Sequence, residues 1–109
     1  MIFSLTKNAF AHQWENLEEG KGLLSDPWFK ENVVKILTEQ ELQIKKEWFK
    51  GKKVLDAGCG NGRWSYGFSS MGAELTCVDV NPIAIERTRS AIQLFDNPQN
   101  FIVSGLENL

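Results

Sequence analysis

Three glycines and two acids are the residues of this chain whose types and spacing could bind a ligand. An apolar run ends at Asp56, and Gly58, Gly60 and Gly62 follow at every second position. Glycine has no Cβ, so such a turn adopts positive φ and lets a ligand lie directly on the backbone. A second acid, Asp79, closes the next apolar run, seventeen residues after Gly62. The pattern predicts a strand, a sharp turn and a helix start around a nucleotide-like ligand.

The glycine spacing and the first acid separate two classes of ligand. A dinucleotide fingerprint has G-x-G-x-x-G before its helix, whereas here the third glycine comes one residue early and Arg63 takes its place. Asp56 would repel a pyrophosphate, and it suits a ligand that carries a positively charged amino group. The alternative for Asp56 is a strand-end acid that satisfies the amides of the loop.

Asp79 is predicted to accept hydrogen bonds from both hydroxyls of a ribose. Charge-assisted bonds of this type contribute about 1.5 to 3 kcal/mol each. The alternative is that Asp79 only stabilises the following helix through its dipole. Because Asn81 already supplies a helix cap, ribose binding is the favoured interpretation.

The elements that must position these residues alternate between strands and helices. Strands are predicted at Val54–Ala57, Leu75–Val80 and Phe101–Val103, with helices over Asn61–Met71 and from Asn81-Pro82 onward. Strand–helix–strand crossovers are right-handed in nearly all proteins. The sequence therefore predicts an α/β, Rossmann-like parallel sheet with strand order 3-2-1 and helices on both faces. The first strand becomes an exposed edge of this truncated sheet, which invites pairing with a second copy.

Residues 1–52 are predicted to form an N-terminal helical cap region, and residues 53–109 a partial ligand-binding domain. Asp26-Pro27 is a helix start with an N-cap acid and a first-position proline. Thr38 and Glu41 form a capping box that predicts a second helix, although one bent helix is the open alternative. A weaker helix is predicted around Ala9–Glu19.

Composition narrows the function classes. The net charge of −2 and pI of about 5.4 give no electrostatic footprint for nucleic acid. The chain has two cysteines, Cys59 and Cys77, and His12 is its single histidine, so no metal site is predicted. Buried thiols and the lack of a membrane-length apolar window predict a cytoplasmic protein. Cys59 is next to a predicted helix N-terminus, which would lower its pKa, but no histidine completes a nucleophilic pair.

The stretches VLDAGCGNG and GAELTCVDVNPIAIERTR resemble the class I S-adenosylmethionine-dependent methyltransferase family over roughly Lys53–Val103. In that family the first acid contacts the methionine end, the glycines face the cofactor, the second acid holds the ribose and the next residue packs beside adenine. The resemblance thus implies S-adenosyl-L-methionine as the cofactor. The cofactor-binding residues that it implies are Asp56, Gly58, Gly60, Asn61, Gly62, Asp79 and Val80.

The resemblance is looser at both ends of the chain. The element Phe10–Trp14 resembles the aromatic cap that some members fold over the cofactor, and Gly105 stands where many members have an acid that binds the adenine amino group. Arg63 lies near the expected place of a substrate or cofactor carboxylate, and a ligand role is the less favoured of its interpretations. The family's fourth strand and later elements, which carry most substrate contacts, have no counterpart here, so no catalytic residue is assigned.

Two functions from different classes follow. The first is the donor-binding, N-terminal portion of a methyltransferase with an unknown methyl acceptor, inactive at this length. The alternative is a non-catalytic binding or interaction module of truncated methyltransferase fold. A nucleotide-linked oxidoreductase is disfavoured by Asp56 and by the glycine spacing.

Overall fold

The computed structural model describes residues 1–4, 26–105 and 107. Within these residues, four parallel strands form one sheet in the order β1-β2-β3-β4. The strands are β1 (Ile2–Ser4), β2 (Lys53–Ala57), β3 (Glu74–Asp79) and β4 (Gln99–Val103). The α-helices are α1 (Pro27–Lys35), α2 (Arg63–Ser70) and α3 (Pro82–Ile92). The three predicted strands therefore form in the predicted order, and the Rossmann-like α/β fold class is confirmed.

Strand β1 corrects the prediction of an exposed edge at Val54–Ala57. Ile2 lies opposite Leu55 in parallel register. The Leu55 amide donates to the Met1 carbonyl at 2.7 Å, and the Met1 ammonium donates to the Lys53 carbonyl at 2.6 Å. A second copy is therefore not needed to cover β2. A homodimer stays a prediction, and it would now have to form elsewhere, for instance at the outer edge of β1.

Helix α1 begins as predicted, because the Asp26 carboxylate accepts a 2.9 Å hydrogen bond from the Trp28 amide. Of the two alternatives at the capping box, the structure shows the continuing helix, since α1 runs without interruption into a π-helical segment, Ile36–Glu41. The Thr38 hydroxyl donates to the Val34 carbonyl four residues back at 2.8 Å, so it does not cap a new helix. A short 3₁₀ turn, Lys46–Phe49, then leads to β2.

The core lies where α1 and α2 pack together over the sheet. A Cβ on Gly67 of α2 would lie 2.5 Å from Leu37 Cδ1 and 3.0 Å from Val33 Cγ2, so this glycine lets the two helices approach closely. The largest fully buried apolar side chains are Phe49, Phe68, Leu37, Leu75, Ile92, Val33, Val54 and Val78. This packing fixes the position of the start of α2, which directly follows the glycine-rich turn.

Residues 5–25 lie outside the described part of the chain. The predicted helix Ala9–Glu19, the aromatic element Phe10–Trp14 and His12 fall there, and the boundary between residues 52 and 53 stays a prediction. None of the described helices has the length and apolar character needed to cross a membrane.

Candidate functional site

The loop between β2 and α2 has the conformation that its glycines predict. Gly58, Gly60 and Gly62 have φ of 76°, 56° and 86°, all in the left-handed region. The amides of Gly58 and Cys59 both donate to the Val78 carbonyl, at 2.8 and 3.0 Å. The loop is therefore attached to the end of β3, with Gly58 and Gly60 half-buried and Gly62 buried.

Gly62 ends this loop and precedes the first residue of α2. A Cβ built on it would lie 2.8 Å from Thr88 Cα, a backbone atom of α3. The Thr88 hydroxyl donates to the Gly60 carbonyl at 3.0 Å. Helix α3 thus packs directly against the loop, and only glycine leaves room for that approach. In the sequence, Thr88 is a polar residue at helical spacing from Ala84, Ala91 and Ile92, and this was the available signal for a loop contact.

Asp79 joins the loop to the end of β3. One carboxylate oxygen accepts from the Gly60 amide at 3.0 Å, and the other accepts from the Asn81 amide at 2.9 Å. Asn81 itself caps α3, because its side chain accepts from the Ile83 amide at 2.9 Å. A carboxylate has about four lone-pair sites, so each oxygen of Asp79 keeps capacity for one more donor.

Asp56 is 1% exposed and faces the first turn of α2. The Ser65 hydroxyl donates to it at 2.5 Å. Burial raises the pKa of Asp56 to about 6, the Ser65 hydroxyl and amide act in the opposite direction, and the charge of Asp79 adds to the rise. The donors to Asp56 belong to Ser65 of α2 and not to the loop, so the loop-amide alternative and direct contact between Asp56 and a ligand both stay predictions.

A buried polar cluster lies below the loop. The Ser65 hydroxyl is 3.3 Å from the Cys77 thiol, and the Thr88 hydroxyl donates to the Cys59 thiol, also at 3.3 Å. Interaction with the Cys77 thiol and burial raise the pKa of the Cys59 thiol above its usual range. The expected lowering by the helix N-terminus is therefore wrong, and both free cysteines are buried.

Of the two remaining residues of the predicted site, Asn61 lies within the loop and Val80 follows the end of β3. The Asn61 side chain accepts a 3.3 Å hydrogen bond from Arg87 of α3. Val80 follows β3 and is 70% exposed, while Val103, the register partner of Asp79 in β4, is 51% exposed. Exposed apolar side chains at these strand ends offer a surface for a flat ring.

Glu107 adds an acid where the sequence predicted none. Its Cδ lies 2.7 Å from the position that a Cβ on Gly105 would take. The carboxylate therefore covers the space left by the missing side chain at position 105. The sequence shows only the glycine at this position. The approach of the Glu107 side chain to Gly105 depends on the local turn, which the sequence does not reveal.

Residues 54–109, just over half of the chain, match the family described as "Methyltransferase domain". The chain belongs to this family. The resemblance to class I S-adenosylmethionine-dependent methyltransferases is thereby confirmed. A curated relative of this methyltransferase domain is the mitochondrial ubiquinone biosynthesis O-methyltransferase of Schizosaccharomyces pombe, which is 35% identical over 79 residues. That match covers 72% of the chain and 27% of the relative.

Two solved structures are similar to this methyltransferase domain. A TehB-like SAM-dependent methyltransferase from Corynebacterium glutamicum aligns with a TM-score of 0.49 and 23% identity, over 91% of this chain and 45% of that chain. The plantazolicin methyltransferase BpumL in complex with SAH aligns with a TM-score of 0.48 and 18% identity, over 95% and 37% of the two chains. The chain thus spans less than half the length of each of these relatives.

Proposed function

We propose that this chain binds S-adenosyl-L-methionine at the glycine loop and forms the donor-binding part of a methyltransferase. The observation that carries the proposal is the unit formed by Asp79 and the loop, in which the carboxylate is held 3.0 Å from the Gly60 amide. This unit places a fixed negative charge beside the half-buried backbone of Gly58 and Gly60. A ligand with two adjacent hydroxyls and a cationic end fits it better than a pyrophosphate does.

The residues take separate roles in this proposal. Asp79 accepts the ribose hydroxyls, and Val80 packs beside the adenine ring. Gly58, Gly60 and Gly62 present their backbone to the ligand, with Asn61 at the border of the loop. Asp56 favours the cationic methionine end, by its charge when it is ionised.

Glu107 completes the adenine side of the proposed site. Its carboxylate covers Gly105 at the end of β4, on the sheet edge where Val80 and Val103 are exposed. A carboxylate accepts hydrogen bonds when ionised, so it can bind the amino group of the ring. The family position held by Gly105 is then served by a neighbour two residues later.

When bound, the donor would supply an activated methyl group, whose bond to the sulfonium would break as its bond to a nucleophile forms, with S-adenosylhomocysteine as the leaving group. The contribution of this chain is to hold the donor, because proximity and alignment supply most of the acceleration in such a transfer. We assign neither the methyl acceptor nor the groups that contact it. The named relative is an O-methyltransferase, which supports methyl transfer as the reaction class.

The second candidate function is a binding module without methyl transfer. In it, the same unit of Asp79 and the loop holds the ligand, and no methyl group is passed on. Incubation of homogeneous protein with methyl-labelled donor and a cell extract separates the two candidates, because labelled product identifies an active enzyme. For location, we propose a reducing compartment such as the cytoplasm, supported by two free, buried cysteines.

Calorimetric titration with S-adenosylhomocysteine tests donor binding. Asp79→Ala should weaken binding at least tenfold, because a lost charge-assisted pair costs more than about 1.4 kcal/mol. Asp96→Ala, which removes an exposed acid beyond α3, is the matched control and should bind like the wild type. Equal affinity of the wild type and Asp79→Ala would exclude the ribose role, and tighter binding of NAD would exclude the methyl-donor assignment.

A further inference from the structure

A group of exposed lysines lies in the 3₁₀ turn before β2 and at the start of that strand. The segment from Lys45 to Lys53 contains five lysines and a single acid, although the net charge of the whole chain is −2. All five lysines are exposed. This group, called the lysine cluster below, consists of Lys45, Lys46, Lys50, Lys52 and Lys53.

The acids near the lysine cluster do not neutralise it. They are Glu47, in the same turn, and Glu74, the register partner of Lys53 on β3. Among residues 1–4, 26–105 and 107, the one salt bridge joins Arg89 to Glu86 on α3. The charges of the lysine cluster are therefore available to an anionic partner.

The arginine at the start of α2 contributes nothing to such a surface. Arg63 is 4% exposed, and its guanidinium carbon lies 6.0 Å from the centroid of the Phe29 ring. The exposed positive charge that the described residues concentrate in one place is thus carried by lysines alone.

Exposed apolar side chains lie beside these lysines. Trp48 is 45% exposed, and Lys52 Nζ lies 5.0 Å from the centroid of its ring. Met1 and Ile2 are 37% and 72% exposed, and the Met1 ammonium donates to the Lys53 carbonyl at 2.6 Å. Tryptophan and aliphatic side chains next to lysines are typical of surfaces that lie at the headgroup level of a bilayer.

The lysine cluster and the glycine loop lie at opposite ends of β2. Lys53 begins the strand and Ala57 ends it, directly before Gly58. Because a strand rises about 3.3 Å per residue, about 13 Å separates the two ends. The Glu74 amide donates to the Lys52 carbonyl at 2.8 Å, which attaches the cluster to the start of β3 as well. A partner on the lysines therefore leaves the glycine loop open.

We propose that this face binds the surface of a membrane that contains anionic phospholipid. The lysine cluster contacts the headgroups, and Trp48, Met1 and Ile2 lie at the same level of the bilayer. Charge complementarity supplies the attraction, because each lysine near an anionic leaflet strengthens binding about fivefold, which corresponds to about 1 kcal/mol. The chain would lie on the membrane without crossing it, and the proposal does not depend on donor binding.

Two features favour a membrane over a nucleic acid as the polyanion. The cluster contains no arginine, whose planar fork suits it to phosphate and base recognition, whereas lysine is a compact point charge. The exposed apolar side chains would also stay in water on a nucleic acid, but they leave water when they enter the interface of a bilayer.

The test measures how much protein sediments with two kinds of vesicle, phosphatidylcholine alone and equal parts of phosphatidylcholine and phosphatidylserine. The wild type should bind the mixed vesicles and not those of phosphatidylcholine alone. Its binding should weaken as salt is added, because salt screens exposed charges. Lys45→Gln/Lys46→Gln should lower the partition coefficient about 25-fold, the product of two fivefold losses. Lys30→Gln/Arg89→Gln removes the same charge from exposed positions on α1 and α3, and it should bind nearly as the wild type does.

Four results would overturn the proposal. They are equal binding of the two double variants, equal binding of the wild type to both kinds of vesicle, and no binding to either kind at low salt. The fourth is displacement of the protein from mixed vesicles by a mixed-sequence single-stranded oligonucleotide at equal phosphate concentration, which would identify nucleic acid as the partner. Titration of Lys45→Gln/Lys46→Gln with S-adenosylhomocysteine should give the affinity of the wild type, so a failure of donor binding is distinguishable from a failure of membrane binding.

Discussion

Gly62 is the residue where the loop, α2 and α3 meet, and Gly62→Ala should be strongly destabilising. Its backbone has φ of 86° and ψ of 13°, a conformation that costs an L-residue about 1–2 kcal/mol. The new Cβ would also lie 2.8 Å from Thr88 Cα and 3.1 Å from Thr88 Oγ1. Relieving such overpacking costs typically about 1–3 kcal/mol. The two terms together predict a loss of about 2–5 kcal/mol, a large share of the stability of a small domain.

Gly51→Ala is the matched control for the backbone term. Gly51 has φ of 72°, and a Cβ there would meet no atom within 4 Å. This variant should therefore lose only about 1–2 kcal/mol. Urea unfolding of both variants and the wild type gives the two differences, provided that the m-values agree. If Gly62→Ala is no more destabilising than Gly51→Ala, then α3 does not press against the loop as described.

Asp56 and strand β1 carry the remaining predictions. Because the pKa of Asp56 rises from 3.8 to about 6 on folding, ionisation of this group destabilises the fold as pH increases from about 4 to 6, by on the order of 3 kcal/mol. Asp56→Asn should lack that contribution. Urea unfolding at several pH values should therefore show the free energy of unfolding of the wild type declining relative to that of the variant. Parallel curves of this free energy against pH would contradict the raised pKa of a buried Asp56. Removal of residues 1–4 should speed hydrogen exchange of the Leu55 amide, because this amide donates to the Met1 carbonyl. The truncated protein should also associate, which light scattering would show as a higher mass. The Leu75 amide, which donates to the Pro98 carbonyl, is the internal control and should exchange at an unchanged rate. Unchanged exchange at Leu55 would show that β1 does not pair with β2.

Features set by local chemistry could be predicted from the sequence. The glycine loop, the Asn81-Pro82 helix start and the acid that closes β3 each depend on neighbouring residues, and the structure has all three. Thr38 shows the limit of such patterns, because its hydroxyl can bind a carbonyl in the preceding turn as well as a following amide. The choice was made by burial of Val33 and Leu37 on one continuous helix face.

Features that depend on distant neighbours could not be predicted. Strand β1 has three residues, too few for a periodic pattern, and its pairing joins residues 53 positions apart. The pKa of Cys59 depends on Cys77 of the adjacent strand. For Asp56, the sequence placed the carboxylate at the strand end, but its orientation toward Ser65 follows from how α2 packs on the sheet. The burial of Arg63 likewise required the position of Phe29 on α1.

Trp64 gives this molecule a built-in optical signal. Its indole is 7% exposed and lies beside the Arg63 guanidinium, whereas Trp28 and Trp48 are 61% and 45% exposed. Emission from an indole depends on the polarity and charge around it, so Trp64 emits from a dry environment and the exposed tryptophans emit from a wet one. With phenylalanine at positions 14, 28 and 48, the fluorescence of the protein would come from a single ring next to the buried cation. Any rearrangement of charge at the start of α2 would then be visible without a dye.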